Sequence, residues 1–232
     1  MRPLPVTDLT LKMSSLPVEY HKQKWRKPYM TTLQSFISLT TLYPNSPAAQ
    51  RRSAPQGGLE MEHKLASHED LDRIMEIVGD AQRFLKESGV DQWQNGYPTR
   101  EAFEADIEKG SCHVFMLEGK IAGVISVFFE NEESYKRVFD GSWRTGEVPY
   151  TVFHRAAVGN EYRGKGIARE MLSYVDIMAR ERGFSSVRGD THRDNKAMRA
   201  LLERSGFVHC GTIYLDSGKE AQSERVCYEK LL

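Results

Sequence analysis

From residue 61 onward the apolar positions follow two rhythms. Leu71, Ile74, Met75, Val78, Ala81 and Leu85 recur at helical spacing. They follow Ser67-His68-Glu69-Asp70, whose hydroxyl and acids suit a helix N-terminus, and Gly89 suits the end. Thr99-Arg100-Glu101-Ala102 opens a shorter helix to about Lys109. Residues 112–118 and 121–129 are apolar runs joined across Gly119-Lys120, the pattern of a strand hairpin. After a polar stretch, PYTVFHRAAV (149–158) predicts another strand. Ile167, Ala168, Met171, Leu172, Val175, Met178 and Ala179 share one helical face that ends at Gly183. FSSVRGD (184–190) predicts a short strand, and Asn195 to Ser205 a helix closed by Gly206. Residues 207–215 and 224–231 predict a last strand pair around Asp216-Ser217-Gly218-Lys219. With a leading strand, the order β-α-α-β-β-β-α-β-α-β-β describes an α/β fold whose sheet mixes directions.

The first sixty residues lack both rhythms. They hold seven of the nine prolines, and eight Lys/Arg stand against three Asp/Glu there. The chain is neutral overall, so the remaining 24 basic and 29 acidic residues leave the rest near −5. RRSAPQGG (51–58) has linker composition. The expected organisation is an extension over 1–60, disordered or artefactual with Met61 as the natural start, followed by one domain over 61–232. A basic tail that binds an acidic partner is the alternative. Residues 22–49 loosely imitate a secretion signal, but polar residues dilute the apolar part, which starts far from Met1. No apolar run approaches the roughly 18–20 residues of a membrane span. Three widely spaced cysteines, Cys112, Cys210 and Cys227, suggest neither a disulfide framework nor a zinc site. They read as buried thiols of a cytoplasmic protein, with no metal, no membrane and no nucleic-acid partner.

The candidate chemistry lies in GNEYRGKGIA (159–168), between the strand ending at Val158 and the helix that follows. Gly164 and Gly166 allow close approach of a ligand and positive φ. The first amides of the helix lack internal partners, and Arg163 and Lys165 add charge to the helix dipole. This describes an anion site suited to two phosphates. A phosphate loop of nucleotide hydrolases would need Ser or Thr where Gly166 stands, to hold magnesium, and more parallel strands than the remaining 66 residues can build.

Arg163-Gly164-Lys165-Gly166-Ile167-Ala168 follows the strand His154-Arg155-Ala156-Ala157-Val158, and downstream Asn195 opens a helix that ends in Gly206-Phe207. Together these resemble the GNAT superfamily of acetyl-coenzyme-A-dependent N-acetyltransferases, over about residues 62–231. The resemblance implies a mixed, mostly antiparallel sheet of about seven strands flanked by four helices. A splayed strand pair, here 149–158 and 184–190, would hold the cofactor. It implies that Ala157 and Val158 present backbone groups to the pantetheine arm, that the amides of Arg163, Gly164, Lys165, Gly166, Ile167 and Ala168 hold the pyrophosphate, and that Asn195 contacts the arm. Two bland readings stay open: the glycines as turn residues only, and Asn195 as a helix cap.

Acetyl transfer needs a neutral amine, and at pH 7 deprotonating a lysine-like ammonium with a pKa of about 10.4 costs roughly 4–5 kcal/mol. His154 is the candidate base, because arylalkylamine members resemble this stretch and carry a histidine there. Val152, His154, Ala156 and Val158 alternate, so a core histidine is the competing reading. Many members carry a tyrosine seven residues after the asparagine; here Leu202 stands there, with Tyr214, His192 and Tyr228 as conceivable substitutes. In DQWQNGYP (91–98), Trp93, Gln94 and Tyr97 could wall an amine, or Trp93 could simply anchor the loop. Residues 139–148 are expected at the opposite rim. The expected enzyme moves the acetyl group of acetyl-CoA to a primary amine, as monomer or homodimer. The alternative is a non-catalytic acyl-CoA-binding module.

Overall fold

The computed structural model describes residues 61–232, so the expected extension over 1–60 lies outside the described residues. The strands are β1 (Met61–Leu65), β2 (Cys112–Leu117), β3 (Lys120–Phe128), β4 (Thr151–Val158), β5 (Ser186–Thr191), β6 (Val208–Tyr214) and β7 (Glu224–Leu231). The α-helices are α1 (Leu71–Glu87), α2 (Arg100–Glu108), α3 (Ile167–Glu181) and α4 (Lys196–Arg204). All seven strands form one sheet in the order β1-β2-β3-β4-β5-β7-β6. Every pairing is antiparallel except β4 with β5. The element order and mixed sheet are as the sequence rhythms predict, and the mostly antiparallel pairing is as the resemblance implies. No described helix is long and apolar enough to cross a membrane.

The apolar stripes decide how the layers pack. Leu71, Ile74, Ile77, Val78 and Leu85 of α1 are buried against Val114, Val124 and Ala157. Ile167, Met171, Leu172, Val175, Met178 and Ala179 of α3 are buried on the other face, against Ile125, Val127, Phe153 and Val187. Burying each such side chain contributes about 1.5–3 kcal/mol. A third cluster, with Phe128, Tyr135, Tyr150 and Val152, lies beneath the long connection 129–150. That connection is held by Arg188, which donates to Glu229 Oε1 (2.9 Å) and to the Gly146 carbonyl (2.6 Å) between the rings of Trp143 and Tyr150. The three cysteines are free and buried. Burial pushes the Cys112 and Cys227 thiols up to about 12, which keeps them unreactive.

Two features of β4 create the site. It shares only two register pairs with β5, Thr151 with Val187 and Val152 with Arg188; beyond them the strands part. The Phe153 ring fills the start of the gap over Gly189, where a Cβ would lie 2.5 Å from the ring. The second feature is a bulge. Val124 pairs with Ala157, but Ser126 pairs with His154, so Arg155 and Ala156 together oppose Ile125. Arg155 takes φ +54° to make it. The bulge corrects the expected alternation: Val152 belongs to the cluster under 129–150, whereas Ala156 and Val158 pack on the α3 side.

Candidate active site

The phosphate-type loop is built from main chain. Gly164 and Gly166 sit at φ +76° and +85°. Turn bonds use the amides of Arg163 (to Asn160 O) and Lys165 (to Tyr162 O), each 3.3 Å long. The amides of Gly164, Gly166, Ile167 and Ala168 make no hydrogen bond within the described chain, and they open α3. Four of the six expected donors are therefore free, and two are spent on the turn. Beside the loop, the Gly159 amide donates to Ala122 O at 2.9 Å. Strand alternation then turns the N–H and C=O of Val158 toward the gap, and those of Ala157 toward β3. Val158 thus offers a free edge, and Ala157 contributes its position rather than its hydrogen bonds. An anion held at the helix start and an extended arm along Val158 fit this geometry.

A cavity of about 650 Å³ runs from this edge to the other end of the gap. On the α3 side its walls are apolar, with Ala168, Met171, Leu172, Met198 and Leu201. On the α1 side they are polar and mutually bonded. His154 Nε2 lies 2.7 Å from Glu132 Oε1, and that bond holds the Glu132 carboxyl below its usual range. Arg155 makes a two-pronged pair with Asp106 (2.7 Å each) and donates to the Tyr97 hydroxyl at 2.6 Å. Asp106 also accepts from Ser126 Oγ at 2.6 Å. Tyr135 donates to Asp190 at 2.6 Å, and Arg225 lies 2.9 Å from Glu220, which accepts from the Trp93 amide.

The structure brings most of the expected residues to this cavity, and places some differently. His154 lines it, partly buried and paired with Glu132. Trp93 lines it and is also part of the α1-side core, at φ +65°, so anchor and wall are one residue. Tyr97 lines it too. Gln94 does not: its amide donates to the carbonyls of Gln82 and Gln92. Gln92 takes the inward place and accepts from Asn195 Nδ2 at 3.0 Å and Thr191 Oγ1 at 3.2 Å. Asn195 lines the cavity, yet its oxygen caps α4 through the Met198 amide, so both ends of its amide are engaged. Segment 139–148 does not form the rim; Glu130, Glu132, Ser134 and residues 215–220 do. Leu202 is core, and Tyr214, His192 and Tyr228 do not line the cavity. Sequence reasoning missed Glu132, Arg225 and Glu220, and no local pattern marks them.

Comparisons with known proteins agree with this geometry. Residues 73–207 match the acetyltransferase (GNAT) family model. A GNAT-family acetyltransferase from Streptococcus agalactiae is similar at 30% identity and a TM-score of 0.67, over 75% of this chain and 98% of that one. The fold is shared with a PaiA N-acetyltransferase from Thermoplasma acidophilum solved with coenzyme A (15% identity, TM-score 0.56, 75% of this chain and 100% of that one). It is shared also with a ribosomal-protein-alanine N-acetyltransferase from Brucella melitensis (20%, 0.54, 74% and 99%). No curated protein matches the chain. With the family model covering more than half of its length, the chain belongs to the GNAT family of acetyltransferases and is an acyltransferase enzyme.

Proposed function

We propose that residues 61–232 form a catalytic domain that moves the acetyl group of acetyl-CoA to a primary amine, with His154 as the base. The observation that carries this is one cavity with a free main-chain edge at one end and a histidine–carboxylate pair at the other. The free amides of Gly164, Gly166, Ile167 and Ala168 would bind the pyrophosphate, and Val158 the pantetheine arm; Asn195 would flank the arm through its α4 start. When bound, acetyl-CoA supplies an activated acetyl carbon. Glu132, 2.7 Å from His154 Nε2, orients the imidazole for proton removal from the acceptor. Five carboxylates, Glu130, Glu132, Asp190, Asp216 and Glu220, line the cavity beside the cations Lys109, Arg155, Lys219 and Arg225. Glu220 is paired with Arg225 and Glu132 with His154, which leaves Glu130 and Asp216 to draw a cationic amine, with Trp93 and Tyr97 as its aromatic wall. Buried free thiols suit a reducing, cytoplasmic setting.

The test is thiol release from acetyl-CoA across a panel of diamines, arylalkylamines, aminoglycosides and peptides, together with calorimetric titration of coenzyme A. Amine-dependent thiol release that H154A loses, with coenzyme A affinity kept, supports the reading. A folded chain without affinity for coenzyme A overturns it. Removing residues 1–60 is expected to leave binding and turnover unchanged.

A further inference from the structure

When a thioester is cleaved, the departing sulfur carries negative charge, and a proton donor beside it lowers the barrier. Four hydroxyl side chains line the cavity: Tyr97, Ser134, Thr191 and Ser217. Three of them have spent their protons. Thr191 donates to Gln92 Oε1 at 3.2 Å, and Ser134 and Ser217 donate to Asp216 Oδ1 at 2.6 and 3.3 Å. Tyr97 differs. Its oxygen accepts from Arg155 Nη1 at 2.6 Å, and its own proton goes to no acceptor in the described chain. Arg155 cannot swing away, because both prongs of Asp106 hold it and the bulge fixes its backbone. It follows His154 directly in the chain, so the bulge presents the base and the support of the tyrosine side by side. The apolar wall of Met171, Leu172, Met198 and Leu201 has no proton to give.

We propose that Tyr97 is a catalytic residue, the proton donor to the departing coenzyme A sulfur, and that Arg155 is its positioning residue. The proposal rests on the acetyl-CoA reading above. A C–N bond forms between the amine and the acetyl carbon, and the C–S bond breaks with its electron pair on sulfur. The Tyr97 proton moves to that sulfur. The phenolate, held by the Arg155 charge, regains a proton from water, while His154 returns to water the proton taken from the amine. A cationic amine loses two protons in becoming the amide: one is balanced by the proton on the thiol, and the other is released to water. Burial raises the Tyr97 hydroxyl above the usual phenol range, with Arg155 opposing, so the donor is protonated at neutral pH.

The test needs no acceptor. Thiolate absorbance follows the ionisation of coenzyme A bound to the full chain and to Y97F. A hydrogen bond from Tyr97 stabilises the bound thiolate, so the thiol is expected to ionise about one pH unit lower in the parent than in Y97F. Equal values in the two proteins overturn the proposal. Retained coenzyme A affinity in Y97F shows that its fold and cofactor edge survive; no affinity in the parent itself overturns the acetyl-CoA reading instead. A measurement on the unmodified chain removes dependence on the variant. Its affinity for coenzyme A relative to the S-ethyl thioether is expected to rise as the thiol ionises, and a flat ratio overturns the proposal. In turnover, Y97F is expected to lower kcat by about 100-fold with little change in KM for the amine. A raised KM at unchanged kcat would make Tyr97 a wall of the acceptor pocket only.

Discussion

The two halves of the cavity are built from different material. The half beside α3 is main chain and apolar wall: unpaired amides at the helix start, the edge of Val158, and methionine and leucine side chains. The half toward α1 is side chains bonded to side chains, drawn from the loop 91–98, the connection 129–150, the β4 bulge and the β6–β7 turn. A main-chain site depends on local backbone conformation and tolerates most changes of side chain. A side-chain site depends on partners far away in sequence, so removing one leaves another buried and unpaired. The expected consequence is that substitutions in the second half abolish turnover while coenzyme A binding survives, and that few substitutions outside the loop do the reverse.

The largest effect that tests this division is at His154. H154A is expected to lower kcat by about 10²–10⁴-fold, the usual worth of a positioned base. Coenzyme A affinity by calorimetry is expected to stay at the parental value, because the free edge of Val158 proposed to hold it lies beyond the bulge. Parallel loss of both would merge the halves and break the comparison. E132Q is expected to cost less, since the imidazole stays in place without its orienting charge.

Asp106 comes next and bears on stability as well as rate. Its carboxylate is buried, and it holds Arg155 with two 2.7 Å bonds while accepting from Ser126. D106A leaves the guanidinium uncompensated in the interior, at a cost of about 3–5 kcal/mol. Denaturant titration is expected to show that loss. Replacing the whole ion pair by apolar residues gives a sharper form: D106L with R155M is expected to recover part of the stability but none of the turnover.

The same division explains what can be read along the chain. The loop 159–168 declares itself within ten residues, because glycines, basic residues and a helix start are all local signals. The strands and helices likewise follow local rhythms. The bulge is hidden: one extra residue in β4 leaves the written pattern of Val152, His154, Ala156 and Val158 looking regular, although it turns the last two to the opposite face. Glu132 and Glu220 are hidden for another reason. They sit in polar loops that resemble any solvated turn until the fold sets Glu132 beside His154 and Glu220 beside the Trp93 amide. Gln92 and Gln94 flank the same tryptophan, and composition cannot tell which one turns inward; the φ +65° of Trp93 decides it.

A pH experiment sharpens the comparison, because acid can reduce activity from outside the cavity. His113 is buried on the α3 side of the sheet with no partner for Nε2. It faces the Tyr174 hydroxyl at 3.5 Å, with His63 and Arg182 nearby, and burial pushes its imidazole down to about 4. A histidine with a folded value below the unfolded one favours folding in its neutral form. The stability it contributes is complete above about pH 6.5 and is lost as pH falls toward 4, amounting to about 3 kcal/mol over that window. Denaturation midpoints of H113F at pH 7 and pH 5 are expected to differ less than those of the parent. Any acid loss of turnover that persists in H113F then belongs to the cavity.

The smallest expected effect probes the main-chain half. Gly166 has φ +85°, and a Cβ added there meets nothing within 4 Å. The added Cβ therefore makes no clash, and the substitution acts chiefly through the backbone. Holding a residue with a Cβ in the left-handed region costs roughly 1–2 kcal/mol. If the loop relaxes instead of bearing that cost, the amides of Gly166, Ile167 and Ala168 turn away from a common point. The free loop is expected to relax in this way, and restoring it on binding then costs that amount, so coenzyme A binds roughly 5–30-fold more weakly to G166V. The free chain should unfold at nearly its parental midpoint, since Gly166 is exposed and ahead of the buried stripe of α3. Parental affinity in G166V would mean that Arg163 and Lys165 hold the phosphates with their side chains, and the contrast between a main-chain half and a side-chain half would fail at the place where it is drawn most sharply.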